Sequence, residues 1–144
     1  FDTIVCLNSL QYASSEKKAI RNMLGVLKDS GKIIILVPGM KFLMGKMDIM
    51  SGHRHRYNIK DIKKIINDID CKLESIEFFN PIGALGWYIN NYREYTSIED
   101  NKISIQIKIF DKYILPFSKF INFFTKRFFG QSIIFIITKH KYVN

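Results

Sequence analysis

The densest group of chemically capable side chains is the run GHRHRY, which places His53, Arg54, His55, Arg56 and Tyr57 side by side. A histidine here can act as general base, because imidazole titrates near neutrality. The arginines can clamp an anion. Two histidines at i, i+2 are also a possible start of a metal site, but no third ligand stands near in sequence, so no metal is expected. The plain alternative is a solvated basic loop that leads into a helix. Two further segments carry polar or aromatic groups suited to a ligand. Asn8-Ser9-Leu10-Gln11-Tyr12 follows an apolar run and reads either as a turn with a helix cap or as a ligand contact. FFNPIGALGWYIN holds Asn80, two glycines three apart and the single tryptophan, Trp87. The glycines permit close approach to a backbone or a ligand. Trp87 is either a core or lid anchor or a substrate contact.

The elements that must position these groups follow from periodicity. Thr3 to Leu7 (TIVCL) is a short apolar run, read as a strand buried on both faces. Ser14 and Ser15 offer a cap, Glu16 stands in the first turn, and Ile20, Met23, Leu24 and Leu27 repeat at helical spacing. Asp29-Ser30-Gly31 stops that helix, and Lys32 to Val37 is a second buried strand ended by Pro38-Gly39. Strand, helix, strand with short links is a βαβ unit and implies parallel pairing.

A long irregular link then runs from Gly39 to Tyr57, a length often associated with function. Asn58 and Asp61 are spaced as a helix cap, ahead of the stripe Ile59, Ile62, Ile65, Ile66 and Ile69. A third strand is expected over roughly Lys72 to Phe79 and a helix over Gly83 to Tyr95. Another stripe comprises Ile103, Ile107, Phe110 and Ile114, and a further one Phe117, Phe120, Ile121, Phe124 and Phe128. The last is read as a helix covering the sheet or, with Lys119, Lys126 and Arg127, as a surface that rests on a membrane through Phe117–Phe129. Ser132 to Thr138 is the final strand. The whole is an α/β sheet in a single domain over residues 1–144. Ligands of such sheets bind beyond the carboxyl ends of the strands.

Composition excludes several classes. A chain of 144 residues, 47% of them hydrophobic, can bury a core and is not disordered. The charge of +9 comes mainly from lysines scattered among Ile and Asn, and no nucleic-acid module is present, so nucleic acid is not the expected partner. The longest charge-free run, Phe78 to Tyr92, is too short and polar to span a bilayer. Cys6 and Cys71 lie in separate apolar runs and read as reduced core thiols, which suits a cytoplasmic protein.

FDTIVCLNSLQYASSEKKAIRNMLGVLKDSGKIIILVP resembles the middle of a class I S-adenosylmethionine-dependent methyltransferase. GHRHRYNIKDIKKII and FFNPIGALGWYIN are similar to a subgroup in which a GH-x-R-x-Y segment precedes a helix and an FN-x-x-G-x-x-GW segment follows the sixth strand. The resemblance implies the C-terminal part of a Rossmann-like sheet, mostly parallel with an antiparallel last strand and extra covering helices. The first strand here would be the family's fourth, left as an open edge. The family's glycine-rich cofactor loop and the acid ending its second strand would lie upstream of Phe1, so the chain by itself is expected to bind the cofactor poorly. Gln11-Tyr12 stands where relatives commonly carry a Glu-His pair.

The implied activity is methyl transfer from S-adenosyl-L-methionine to a small-molecule or lipid-linked acceptor. The resemblance assigns Asn8, Ser9 and Leu10 to the cofactor side. It assigns Gln11, Tyr12, Arg56, Tyr57, Asn80 and Trp87 to the acceptor side, with His53 as base. The alternative is a non-catalytic methyltransferase-like module for binding or for peripheral membrane contact.

Overall fold

The computed structural model describes residues 1–91, 108–109, 112–113 and 115–140. Its sheet has four strands, β1 (Thr3–Leu7), β2 (Lys32–Pro38), β3 (Cys71–Phe79) and β4 (Ser132–Lys139), in the order β1-β2-β4-β3. β1 and β2 are parallel, with Cys6 opposite Ile35. β4 is antiparallel to both its neighbours, pairing Phe135 with Ile35 on one side and with Ile76 on the other. β1, β2 and β3 therefore share one direction, as the βαβ pattern predicts, and the last strand is reversed.

The helices are α1 (Glu16–Val26), α2 (Lys46–Met50), α3 (Ile59–Ile66), α4 (Pro81–Asn91) and α5 (Leu115–Thr125). The expected caps are present. The Ser15 hydroxyl accepts from the Lys18 amide at 3.3 Å, and the Asp61 carboxylate accepts from the Asn58 amide at 2.8 Å. Ile20, Leu24 and Leu27, with Ile62, Ile66 and Ile69, form the buried stripes of α1 and α3 and the turns that follow them. They join Ile33, Ile35, Val37, Ile133, Phe135 and Ile137 in one core. The six strand residues are fully buried. Each such side chain contributes roughly 1.5–3 kcal/mol by leaving water, so this face of the sheet is the main source of stability.

Three expectations are corrected. β1 is not buried on both faces: Val5 and Leu7 are more than half exposed, because strand alternation turns them away from the core that Ile4 and Cys6 face. The link over residues 39–57 is not irregular throughout. It contains a 3-10 turn at Lys41–Leu43 and then α2, and it is closed where Gly39 bridges Tyr57. The phenylalanines of α5 and of the turn after it do not pack on the sheet: Phe117, Phe120, Phe123, Phe124 and Phe128 are 62–71% exposed, whereas Ser118 is buried. The stripe Ile103, Ile107, Phe110 and Ile114 lies outside the described residues, as do positions 92–95 of the helix expected over Gly83 to Tyr95. Cys6 and Cys71 are free, and burial pushes both thiols up from their ordinary range.

Candidate functional site

At the carboxyl ends of β1, β2 and β3 lies a cleft of about 380 Å³, lined by Asn8, Leu36, Pro38, Ser51, His53, Arg56, Phe79, Asn80, Trp87, Gln131 and Ser132. Its size is that of a small-ligand site. Chain reversal at this rim needs unusual backbone: Asn8 after β1 and Asn80 after β3 both have positive φ, 46° and 61°. Asparagine tolerates that left-handed conformation better than other residues with a Cβ. Beyond β2, the Tyr57 amide donates to Pro38 O at 2.9 Å and the Met40 amide to Tyr57 O at 2.9 Å. The GHRHRY run is thereby fixed to the end of the strand.

Beneath the cleft is a residue that sequence reading missed. Asp48, on α2, has no exposed surface, and its carboxylate is surrounded by donors. Oδ1 accepts from Arg56 Nε at 2.8 Å and lies 3.0 Å from His53 Nδ1. Oδ2 accepts from Trp87 Nε1 at 3.0 Å and from the Gly45 amide at 3.1 Å. Arg56 Nη1 also donates to Gly39 O at 2.8 Å and Gln131 O at 3.1 Å, so one guanidinium joins α2 to the end of β2 and the start of β4. Burial lowers the Arg56 pKa, with Asp48 opposing that effect. Its guanidinium carbon lies 5.1 Å over the Trp87 ring.

The ring of His53 has two aromatic neighbours. Trp87 stacks on it with centroids 6.2 Å apart and planes 15° from parallel, and the Tyr12 ring lies 6.0 Å away. Tyr12 in turn donates from its hydroxyl to Ser51 O at 3.1 Å. Asn80 is the second hub: its Oδ1 accepts from the Gly83 amide at 2.9 Å and from the Ser118 hydroxyl at 3.1 Å, and its Nδ2 donates to Gln131 Oε1 at 3.0 Å. A Cβ on Gly83 would collide with this Asn80–Gln131 pair, whereas Gly86 has open space around it. Of the two glycines in the FFNPIGALGW segment, Gly83 is the one that close packing requires.

Five expected site residues therefore meet in the cleft: Asn8, His53, Arg56, Asn80 and Trp87. The others do not line it. Ser9 is exposed and donates to Leu7 O, whereas the side chains of Leu10 and Gln11 lie in the interior. Gln11 donates to Asn8 O at 2.9 Å, and among the described residues its buried Oε1 has no partner. Tyr57 is buried, and its hydroxyl donates to Glu16 at 3.2 Å; burial and then the Glu16 charge raise its pKa. His55 faces the same Glu16 carboxylate, 3.2 Å away, outside the cleft. Arg56 is at the cleft wall, but its Nε and Nη1 are committed to protein acceptors, so its main work is structural rather than that of an anion clamp. Asp48 could have been suspected from one signal: it is a lone acid within a run of Met and Ile, just ahead of the basic loop.

An open α/β sheet in which one reversed strand lies beside three co-directional ones, with the cleft at their carboxyl ends, has a known counterpart. No protein-family model and no curated protein matches the chain. Solved structures do. A chain of the Haloferax volcanii complex formed with the Trm112 methyltransferase activator superposes with a TM-score of 0.55 at 9% identity, over 99% of this chain and 55% of that one. Haemonchus contortus phosphoethanolamine N-methyltransferase 2, solved with S-adenosyl-L-methionine, gives 0.55 at 15% identity, over 98% of this chain and 34% of that one. The [4+2]-cyclase SpnF gives 0.55 at 16%, over 97% and 50%. The chain has the class I S-adenosylmethionine-dependent methyltransferase fold, and it spans between a third and just over half of these three chains. The cyclase shows that this fold also carries other chemistry.

The coupling around Asp48 has a measurable consequence. Arg56→Met keeps side-chain bulk but leaves the buried carboxylate without its cation. We expect a loss of roughly 3–5 kcal/mol, measured by urea unfolding of the full-length protein. A loss under about 1 kcal/mol would show that the ion pair is not what holds α2 under the cleft.

Proposed function

We propose that this protein is an S-adenosylmethionine-dependent methyltransferase. The observation that carries this reading is that Asn8, just past the end of β1, and His53, in the link that follows the parallel strand β2, open onto one cleft. The cofactor supplies a methyl group made electrophilic by its sulfonium. The described residues fit one side of it: the cleft is of ligand size, and Asn8 offers a neutral amide beside the exposed β1 edge. Ser9 and Leu10 would contribute there through their backbone. The acceptor would enter against His53, Asn80 and Trp87, with Tyr12 at the rim. His53, on the acceptor side, would hold the proton that a protic acceptor gives up.

Calorimetry with S-adenosylhomocysteine on the full-length protein should give micromolar binding. Asn8→Gly, which keeps the positive φ but removes the amide, should weaken it about 3–10-fold, the worth of one neutral hydrogen bond. No binding at all would favour the non-catalytic module. With radiolabelled cofactor and cell extracts, His53→Ala should lower methyl transfer about 10²–10⁴-fold, and recovery of label in the organic or the aqueous phase would distinguish lipid-linked from small polar acceptors.

The exposed phenylalanines of α5 support a lipid-linked acceptor. Its sequence, LPFSKFINFFT, continues into KRFF, contains no acid and carries Lys119, Lys126 and Arg127. Such a helix lies flat at an anionic bilayer surface. Among the described residues no helix is long and apolar enough to cross a membrane. The protein should sediment with phosphatidylglycerol-containing vesicles and less with phosphatidylcholine alone, and Phe120→Ser/Phe124→Ser should remain in the supernatant. Wild type that stays in the supernatant with both vesicles would contradict peripheral membrane contact.

A further inference from the structure

The four donors around Asp48 decide more than the position of α2. The nitrogens of Arg56 Nε, Trp87 Nε1 and Gly45 can only donate, so both carboxylate oxygens must accept. With Asp48 as the carboxylate that pairs with Arg56, the proton on the 3.0 Å line between Oδ1 and His53 Nδ1 belongs to the imidazole. In neutral His53 the lone pair is then on Nε2. Among the described residues Nε2 has no hydrogen-bond partner, and the ring that carries it lines the cleft beside Trp87.

We propose that Asp48 is a positioning residue that presents His53 Nε2 to the cleft as a proton acceptor, and that the acceptor substrate therefore carries a proton on its nucleophilic atom. A hydroxyl fits this requirement, whereas a thioether sulfur or a tertiary amine has no proton to give. When such a hydroxyl reacts, its O–H bond breaks, the electron pair stays on oxygen, and the proton passes to Nε2. The imidazolium so formed keeps Nδ1–H on Asp48, whose negative charge faces the new positive one. Arg56 and Trp87 act on this pair through Asp48: each fixes one of its two oxygens.

This inference rests on the methyltransferase reading for the identity of the reaction, but its test is independent of cofactor binding. Long-range proton–nitrogen NMR of the ¹⁵N-labelled full-length protein, without ligand, reports the tautomer of each histidine. Signals of His53, His55 and His140 are assigned by single His→Gln variants. A hydrogen bond to a charged acceptor should favour Nδ1–H at His53 by roughly tenfold or more. Asp48→Asn should remove that bias, and Trp87→Phe, which relieves only the other oxygen, should retain it. A wild-type His53 that carries its proton on Nε2 overturns the proposal, even if Asp48→Asn fails to fold and even if the protein binds S-adenosylhomocysteine. An unchanged tautomer in folded Asp48→Asn also overturns it.

Discussion

A carboxylate removed wholly from water is costly unless each of its oxygens is answered by donors, and the cleft end of this molecule is arranged around that requirement. Asp48 draws Arg56 from the loop, Trp87 from α4, the Gly45 amide from the start of α2 and His53 from the basic run. These donors come from segments that share no hydrogen-bonded ladder. The buried charge joins them at one point, on a frame set by the Gly39–Tyr57 bridge. Asn91 extends the arrangement: its side chain accepts from the Met47 amide at 3.1 Å and donates to Leu43 O at 2.9 Å, which holds the end of α4 against α2.

The sheet supplies the frame in which that charge can act. A row of Cys6, Ile35, Phe135 and Ile76 crosses all four strands on the core face, in register from edge to edge. Because β1, β2 and β3 are co-directional, their carboxyl ends lie at one rim, and β4 begins there too. Asn8 and Asn80 turn the chain at that rim, and Arg56 ties the start of β4 to the end of β2. Geometry at the cleft is thus inherited from strand direction and then refined by a few buried polar contacts.

Much of this was legible in the residues. IIILVP within β2 and IIFII within β4 are apolar at every position, and such short runs have few outcomes other than central strands. The caps at Ser15 and Asp61 were visible because they depend on neighbours three residues apart. What burial pattern alone could not convey was the state of β1: an apolar run tells that a strand suits burial, not which face is covered. The same gap explains α5, whose Phe spacing is helical whether the face meets a core or stands exposed. Within the site, Asn8, His53, Asn80 and Trp87 were readable because each sits just past a strand end or on the segment that follows. Arg56 was identified as a site residue but not as an inward one, since adjacent basic residues look alike in sequence. Asp48 was missed because its partners lie up to thirty-nine residues away, beyond any local pattern.

The central claim is that one cleft at the carboxyl ends of the co-directional strands receives a methyl donor on the Asn8 side and an acceptor on the His53 side. A crystal structure of the full-length protein with S-adenosylhomocysteine tests it most directly. The account predicts the ligand beside the end of β1, its sulfur directed into the cleft toward His53. Ligand bound on another face of the sheet, or with its sulfur turned away from His53, would contradict it.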